Sequence, residues 1–288
     1  MNKIVTTTDI IYNENTKKDI TIIHVSDIHF NKNINKEKLQ KLANYIKKTQ
    51  PDYVMITGDT LDNPIITKDS SKIKELLSFL TNLAEVSKVI ISLGNHDIQT
   101  DEDYRFFEKL DELYNIYCLN NTSYRDDYIY VFGLTLPNSY YYGINGGESV
   151  DVLLYQLDQV HKKITRIPKN LPKIAMIHSP LKLNNYNVLD KLKEFDIILS
   201  GHTHNGMVPE LIGKLIKNNI GIVSPRKGLF PNNARGKVEI PIGSKKITII
   251  INGAITKLSY SAGKIFSKLN ILYKMSVNKI IIRKKRGI

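Results

Sequence analysis

The spacing of apolar residues changes several times along the chain, and each change marks a boundary between elements. Leu39, Leu42, Ala43 and Ile46 recur at i, i+3, i+4 and i+7, and Ile73, Leu76, Leu77, Leu80, Leu83 and Ala84 hold the same spacing for three turns. Both patterns predict helices with one buried face. A third helix is predicted over residues 152–164, with Leu153, Leu157, Val160 and Ile164 inward, and a shorter one over 103–113. Between them lie short apolar runs at 22–25, 53–56, 89–93, 129–134, 174–177 and 197–199. Unbroken apolar runs alternating with helices suit central strands covered on both faces. Two strands, 3–11 and 19–25, open the chain around the turn Asn13-Glu14-Asn15, and strand-like runs return at 246–251 and 277–283. The rhythm is α/β, and no composition break is long enough for a linker, so one domain over 1–288 is expected.

Composition narrows the picture. The 288 residues are 42% hydrophobic and 24% charged, which excludes disorder and collagen-like repetition. The formal net charge is +13, but Glu239 is the last acid, and residues 240–288 carry eleven lysines and arginines. An argument from charge for nucleic acid or membrane therefore concerns that basic C-terminal segment, which is either part of the same domain or peripheral to it. The single cysteine, Cys118, permits no internal disulfide and no thiolate metal site. Met1-Asn2-Lys3 leads into the polar Thr6-Thr7-Thr8-Asp9 without an apolar signal region, so a cytoplasmic location is expected. The longest stretch without Asp, Glu, Lys or Arg, 128–147, contains Pro137 and Asn138 and does not suit a spanning helix.

Five of the apolar runs end in polar clusters: Ser26-Asp27-Ile28-His29, Gly58-Asp59, Gly94-Asn95-His96-Asp97, His178-Ser179 and Gly201-His202-Thr203-His204. Ligand crevices of α/β sheets form at the carboxyl ends of strands, so these clusters are expected to converge on one cleft. His24, inside a strand, and His161, on a helix, read as structural. In an extended strand end, residues i and i+2 point to one side about 6–7 Å apart. Asp27 with His29, and His202 with His204, would each offer two donors to one volume. Carboxylate, imidazole and amide donors without thiolate suit Mn, Fe, Zn or Co better than Mg or Ca.

In this order, Asp27-x-His29, Gly58-Asp59-x-x-Asp62, Gly94-Asn95-His96-Asp97, His178 and Gly201-His202-x-His204 resemble the calcineurin-like metallophosphoesterase superfamily over about two thirds of the chain. The resemblance implies a four-layer αββα sandwich of two mixed sheets flanked by helices, with two divalent metal ions at the strand ends. Position by position, it implies that Asp27, His29 and His204 hold the first ion and that Asn95, His178 and His202 hold the second, with Asp59 between them. His96 would bind the phosphate or protonate the leaving oxygen, and Asp97 reads either as its orienting partner or as an ordinary structural residue. Asp62 reads either as a hydrogen-bond partner of a ligand or as a turn residue. Two dications against two carboxylates and a shared hydroxide leave a charge of about +1, which attracts a phosphate ester.

The expected function is therefore a metal-dependent phosphohydrolase, metals Mn, Fe, Zn or Co. It would cleave a phosphodiester or pyrophosphate bond in a small or lipid-linked molecule, and the chain resembles small bacterial members of the superfamily, many of which work near membranes. A nuclease is the enzymatic alternative, drawing on the basic segment, and a catalytically silent scaffold is the alternative from another class. Tyr140-Tyr141-Tyr142 either touch substrate or pack their own glycine-rich loop. Ile265, Phe266, Leu269, Leu272 and Tyr273, flanked by Lys264, Lys268 and Lys274, have the spacing of a helix. Such a helix suits peripheral contact with the anionic inner face of a membrane, a sheet edge or, less well, nucleic acid.

Overall fold

The computed structural model describes residues 3–30, 36–62, 69–142, 147–208, 213, 215–216, 219–224, 229–256 and 274–284. The chain opens with β1 (Ile4–Asn13) and β2 (Ile20–Val25) and continues through α1 (Lys36–Thr49), β3 (Tyr53–Thr57), α2 (Ser70–Ala84), β4 (Lys88–Ser92), α3 (Asp101–Asp111) and β5 (Ile116–Leu119). The second half comprises β6 (Thr122–Arg125), β7 (Tyr130–Leu134), α4 (Asn138–Tyr141), α5 (Val150–Gln159), α6 (His161–Thr165), β8 (Lys173–Ile177), α7 (Tyr186–Leu192) and β9 (Ile197–Ser200). Three strands close it: β10 (Gly236–Ile242), β11 (Lys245–Ile251) and β12 (Met275–Lys284).

These strands form two six-stranded mixed sheets, ordered β1-β12-β2-β3-β4-β5 and β10-β11-β9-β8-β7-β6. In the first, β2 to β5 are parallel and β12 runs against β2, with Ile280 opposite Ile22. In the second, β7, β8, β9 and β11 are parallel, and β6 and β10 are antiparallel edges. Strand periodicity divides the core into three layers. Ile22, Met55 and Ile90 face Val131, Met176 and Leu199 between the sheets. Their neighbours Ile23, Val54 and Ile91 pack outward against Leu42, Leu76 and Leu80 of α1 and α2. Phe132, Ala175 and Ile198 pack outward against Leu153, Leu157 and Leu189. Apolar residues on both faces explain why the strands read as unbroken runs. The result is a four-layer sandwich.

The helix predicted over 152–164 is two helices. Val160 leaves helical geometry (φ −98°, ψ 3°), ending α5 and starting α6, while Leu157, Val160 and Ile164 all stay buried. The C-terminal segment contributes to both sheets through β10, β11 and β12. The amphipathic run from Lys264 to Tyr273 lies outside the described residues. Of the tyrosine triplet, Tyr140 and Tyr141 are fully buried and Tyr142 is exposed. No helix among the described residues is long and apolar enough to cross a membrane.

Candidate metal centre

The polar clusters meet because the loops after the strands prolong the sheets. Beyond β2 and β3, the amides of Asp27, His29 and Phe30 donate to the carbonyls of Gly58, Asp59 and Thr60 (3.1, 2.9 and 2.8 Å). Beyond β8 and β9, Gly201 N–H donates to the His178 carbonyl at 2.8 Å. Two bonds then tie one sheet to the other. His178 Nδ1 donates to the Thr57 carbonyl (2.7 Å), and His202 N–H donates to the Asp27 carboxylate (3.0 Å to Oδ2). Gly201 must lack a side chain here, since a β-carbon would overlap Ser26 and Asp27.

Asp27, His29, Asp59, His202 and His204 all have positive φ, between 48° and 65°. Non-glycine residues occupy that region rarely, and they concentrate at functional sites where surrounding contacts impose it. The expectation of an extended i, i+2 pair therefore needs correcting. Asp27 and His29 still reach one group, whereas His202 and His204 turn their rings into two.

The first group is Asp27, His29 and His204, and the second is Asp59, His178 and His202. In the first, Asp27 Oδ1 lies 3.1 Å from His204 Nε2 and 3.9 Å from His29 Nε2, and the two Nε2 atoms are 3.3 Å apart. In the second, His178 Nε2 lies 3.3 Å from Asp59 Oδ2 and 3.2 Å from His202 Nδ1. Asp59 Oδ2 also lies 3.8 Å from His29 Nε2, which places this carboxylate between the groups. Asn95, after β4, is buried, and its Oδ1 has no hydrogen-bond partner among the described residues. Its chain neighbours Gly94 and His96 both pack on Asp59, and an orphaned buried amide oxygen in that loop fits a borderline divalent cation.

Charge in the centre follows from burial and proximity. Burial alone raises the Asp27 and Asp59 carboxyls. Around Asp27 the imidazoles of His204 and His178 outweigh it, and around Asp59 those of His178 and His96 do, so both are held below the usual carboxylate range. Burial disfavours the His178 cation, but Asp59 and Asp27 push it up to about 9. His96 is raised in the same way by Asp59 and Asp62. His29 and His202 stay below the ordinary imidazole value because burial outweighs the carboxylates beside them. The two buried carboxylates favour positive charge beside them, which raises His178 and His96 and is what a cation would supply.

His96 is the most exposed of these five imidazoles, at 19%, so it stands at the mouth of the site. Its Nδ1 donates to the Asp62 carbonyl at 2.8 Å, leaving Nε2 for a ligand. Asp97 does not orient that ring by a hydrogen bond. Its two oxygens accept from the amides of Leu61 (2.8 Å) and Gly94 (2.9 Å) and so brace two loops against each other. Burial and the charge of Asp59 push its carboxyl up to about 7. Asp62 Oδ1 lies 3.3 Å from His29 Nδ1, behind the nitrogen that faces Asp27. His24 is buried in β2, 2.8 Å from the Thr57 hydroxyl, and His161 is exposed at the start of α6. Sequence reasoning missed Glu148, whose Oε1 lies 3.3 Å from His202 Nε2.

The model of the calcineurin-like phosphoesterase family matches residues 20–206. An uncharacterized metallophosphoesterase of Campylobacter jejuni is 30% identical over 80% of this chain and 55% of its own length. The chain spans about half the length of the curated relatives it matches first. A UDP-2,3-diacylglucosamine pyrophosphatase of Chlamydia muridarum is 22% identical, over 73% of each chain. Among solved structures, TT1561 of Thermus thermophilus has a TM-score of 0.49 at 13% identity, covering 82% of this chain and 90% of that one.

Proposed function

The chain belongs to the calcineurin-like phosphoesterase family, and from that premise we propose that it is a dinuclear metal-dependent phosphohydrolase cleaving a phosphodiester or pyrophosphate bond in a small or lipid-linked substrate. The observation that carries this reading is the place of Asp59, within 3.8 Å of His29 on one side and 3.3 Å of His178 on the other. Asp27, His29 and His204 would hold one cation, and Asn95, His178 and His202 the other, with Asp59 common to both. Such a pair would supply Lewis acidity toward phosphoryl oxygens and would lower the pKa of a water.

The protein's own groups do the rest. His178 Nδ1 is held by the Thr57 carbonyl, so its Nε2 faces inward. His29 turns its Nδ1 toward Asp62 Oδ1, 3.3 Å away. His96, with Nδ1 fixed on the Asp62 carbonyl and its cation favoured by Asp59, is poised to donate from Nε2 to a phosphoryl or leaving-group oxygen. The pyrophosphatase relative acts on a lipid-linked diphosphate, which supports including that substrate class.

The test is a panel of diesters, monoesters, cyclic nucleotides, dinucleotide pyrophosphates and phospholipids with Mn, Co, Fe or Zn. Hydrolysis of bis-p-nitrophenyl phosphate that depends on added metal is expected. A protein that takes up two metals yet cleaves nothing in the panel overturns the reading in favour of a scaffold. The nuclease alternative loses ground because part of the basic segment is locally paired: Lys246 with Glu239 at 2.6 Å, and Arg283 with Asp19 at 3.1 Å. A lipid-linked substrate would be met at the inner face of the membrane, and co-sedimentation with anionic vesicles at low salt tests that placement.

A further inference from the structure

We propose that Glu148 is a positioning residue of the centre: its carboxylate fixes which nitrogen of His202 carries the proton, and so presents Nδ1 of that ring to a cation. The inference rests on the reading of His202 as a metal ligand. Glu148 Oε1 lies 3.3 Å from His202 Nε2, and each side chain is only 6% exposed. Across the ring, His202 Nδ1 lies 3.2 Å from His178 Nε2, within the Asp59 group. Neither Glu148 Oε1 nor His202 Nε2 has a hydrogen-bond partner of standard geometry among the described residues, and the two lie 3.3 Å apart.

The proton assignment follows from what each group can do. An ionised carboxylate only accepts, so the ring nitrogen facing it must be the one that carries hydrogen. A neutral imidazole protonated at Nε2 keeps its lone pair on Nδ1, the atom turned toward His178. Without the carboxylate, both tautomers are open to the ring, and one of them points hydrogen at the cation position. A carboxylate behind a ligating histidine is commonly worth roughly 10–100-fold in metal affinity.

Both partners are held in place. Glu148 immediately precedes Ser149, whose hydroxyl caps α5 by accepting from Val152 N–H (3.3 Å) and whose own amide donates to the Tyr140 carbonyl (3.0 Å). The buried ring of Tyr141 lies beside the His202 imidazole, with centroids 5.2 Å apart. Glu148 is thus tied to a helix start and His202 to a wall of the core, which is how a positioning pair keeps its geometry.

The experiment compares the full chain with Glu148→Ala and Glu148→Gln. Manganese binding is measured by calorimetry, metal content by mass spectrometry after desalting, and the His202 tautomer by long-range nitrogen–proton NMR without manganese. Wild type is expected to take up two ions and to show hydrogen on Nε2 of His202. Glu148→Ala should weaken the second ion by roughly 10–100-fold and leave the first unchanged, with the tautomer mixed. Glu148→Gln, whose amide oxygen still accepts, should recover most of the affinity. Equal affinity for the second ion in wild type and Glu148→Ala overturns the proposal, as does hydrogen on Nδ1 in wild type, a result that needs no variant. A wild type that binds no second ion overturns the dinuclear reading itself, and this inference with it.

Discussion

Gly94 and Asp59 are packed backbone to side chain: a β-carbon on Gly94 would overlap both Oδ1 and the backbone nitrogen of Asp59. The same Asp59 Oδ1 accepts from His96 N–H at 2.9 Å, so the loop after β4 holds the carboxylate that stands between the two histidine groups. The smallest side chain in the protein therefore sets the position of the most shared donor.

Gly94→Ala is expected to displace Asp59 and to lower turnover by about 100-fold, the scale of an ångström-sized misplacement in a catalytic site. Metal content should fall in step with activity. Normal metal content with normal turnover would show that the loop yields and that the tight packing has no functional weight.

His96→Ala separates chemistry from binding. The ring is not a member of either proposed ligand set, and it sits at the mouth of the site with Nδ1 tied to Asp62. Turnover is expected to drop by roughly 100-fold or more, while metal content stays near that of wild type. A parallel loss of metal would place His96 among the ligands instead.

Much of this site was legible before any coordinates, because its chemistry sits in short motifs at the ends of apolar runs. The buried strands announce themselves through residues such as Ile22, Ile23 and Val25, which are apolar on both faces. What escaped is what depends on packing. β6, with only Tyr124 buried of its four residues, carries too short a pattern to read. The break at Val160 has no glycine or proline to mark it. Glu148 follows a glycine-rich stretch of sequence without a motif, and only the approach of His202, from beyond a distant strand, gives it a role. Asp97 looked like a partner for His96, but its oxygens serve the amides of Leu61 and Gly94, a choice made by loop geometry rather than by sequence adjacency.

His24 gives a pH signature independent of catalysis. It is fully buried beside the Thr57 hydroxyl, and burial lowers its pKa to about 3 against the opposing pull of Asp27. Between that value and the ordinary value of about 6.5, the unfolded chain holds a proton that the folded chain does not. This residue's contribution to stability therefore rises with pH across that window and levels off above it. In urea melts with EDTA from pH 5 to 7, wild type should gain stability with pH more steeply than His24→Gln. Parallel slopes would mean that His24 takes up its proton without unfolding.

A second polar hub lies at the other ends of the strands and should affect stability alone. Asp126 Oδ2 accepts from Tyr53 OH (2.6 Å), Lys88 Nζ (2.8 Å) and Tyr124 OH (2.9 Å), while Oδ1 accepts from the amides of Tyr128 and Ile129 (2.9 and 3.1 Å). Tyr53 and Lys88 begin β3 and β4, whereas the metal centre lies beyond their carboxyl ends. Burial would raise the Asp126 carboxyl, but the bonds from Lys88, Tyr53, the Tyr128 amide and Tyr124 hold it well below the usual range. Its stabilisation is thus present above about pH 4 and lost as the pH falls below that, because the unfolded chain takes up a proton that the folded chain resists. Asp126→Asn keeps the shape, loses the charge and turns a donor toward the Tyr and Lys donors or the amides. It should cost about 1–3 kcal/mol in a denaturant melt at pH 7, with a smaller difference from wild type at pH 3. The kcat and metal content should match wild type, since the hub touches none of the proposed ligands; a loss of metal at unchanged stability would mean that the two ends of the sandwich are coupled.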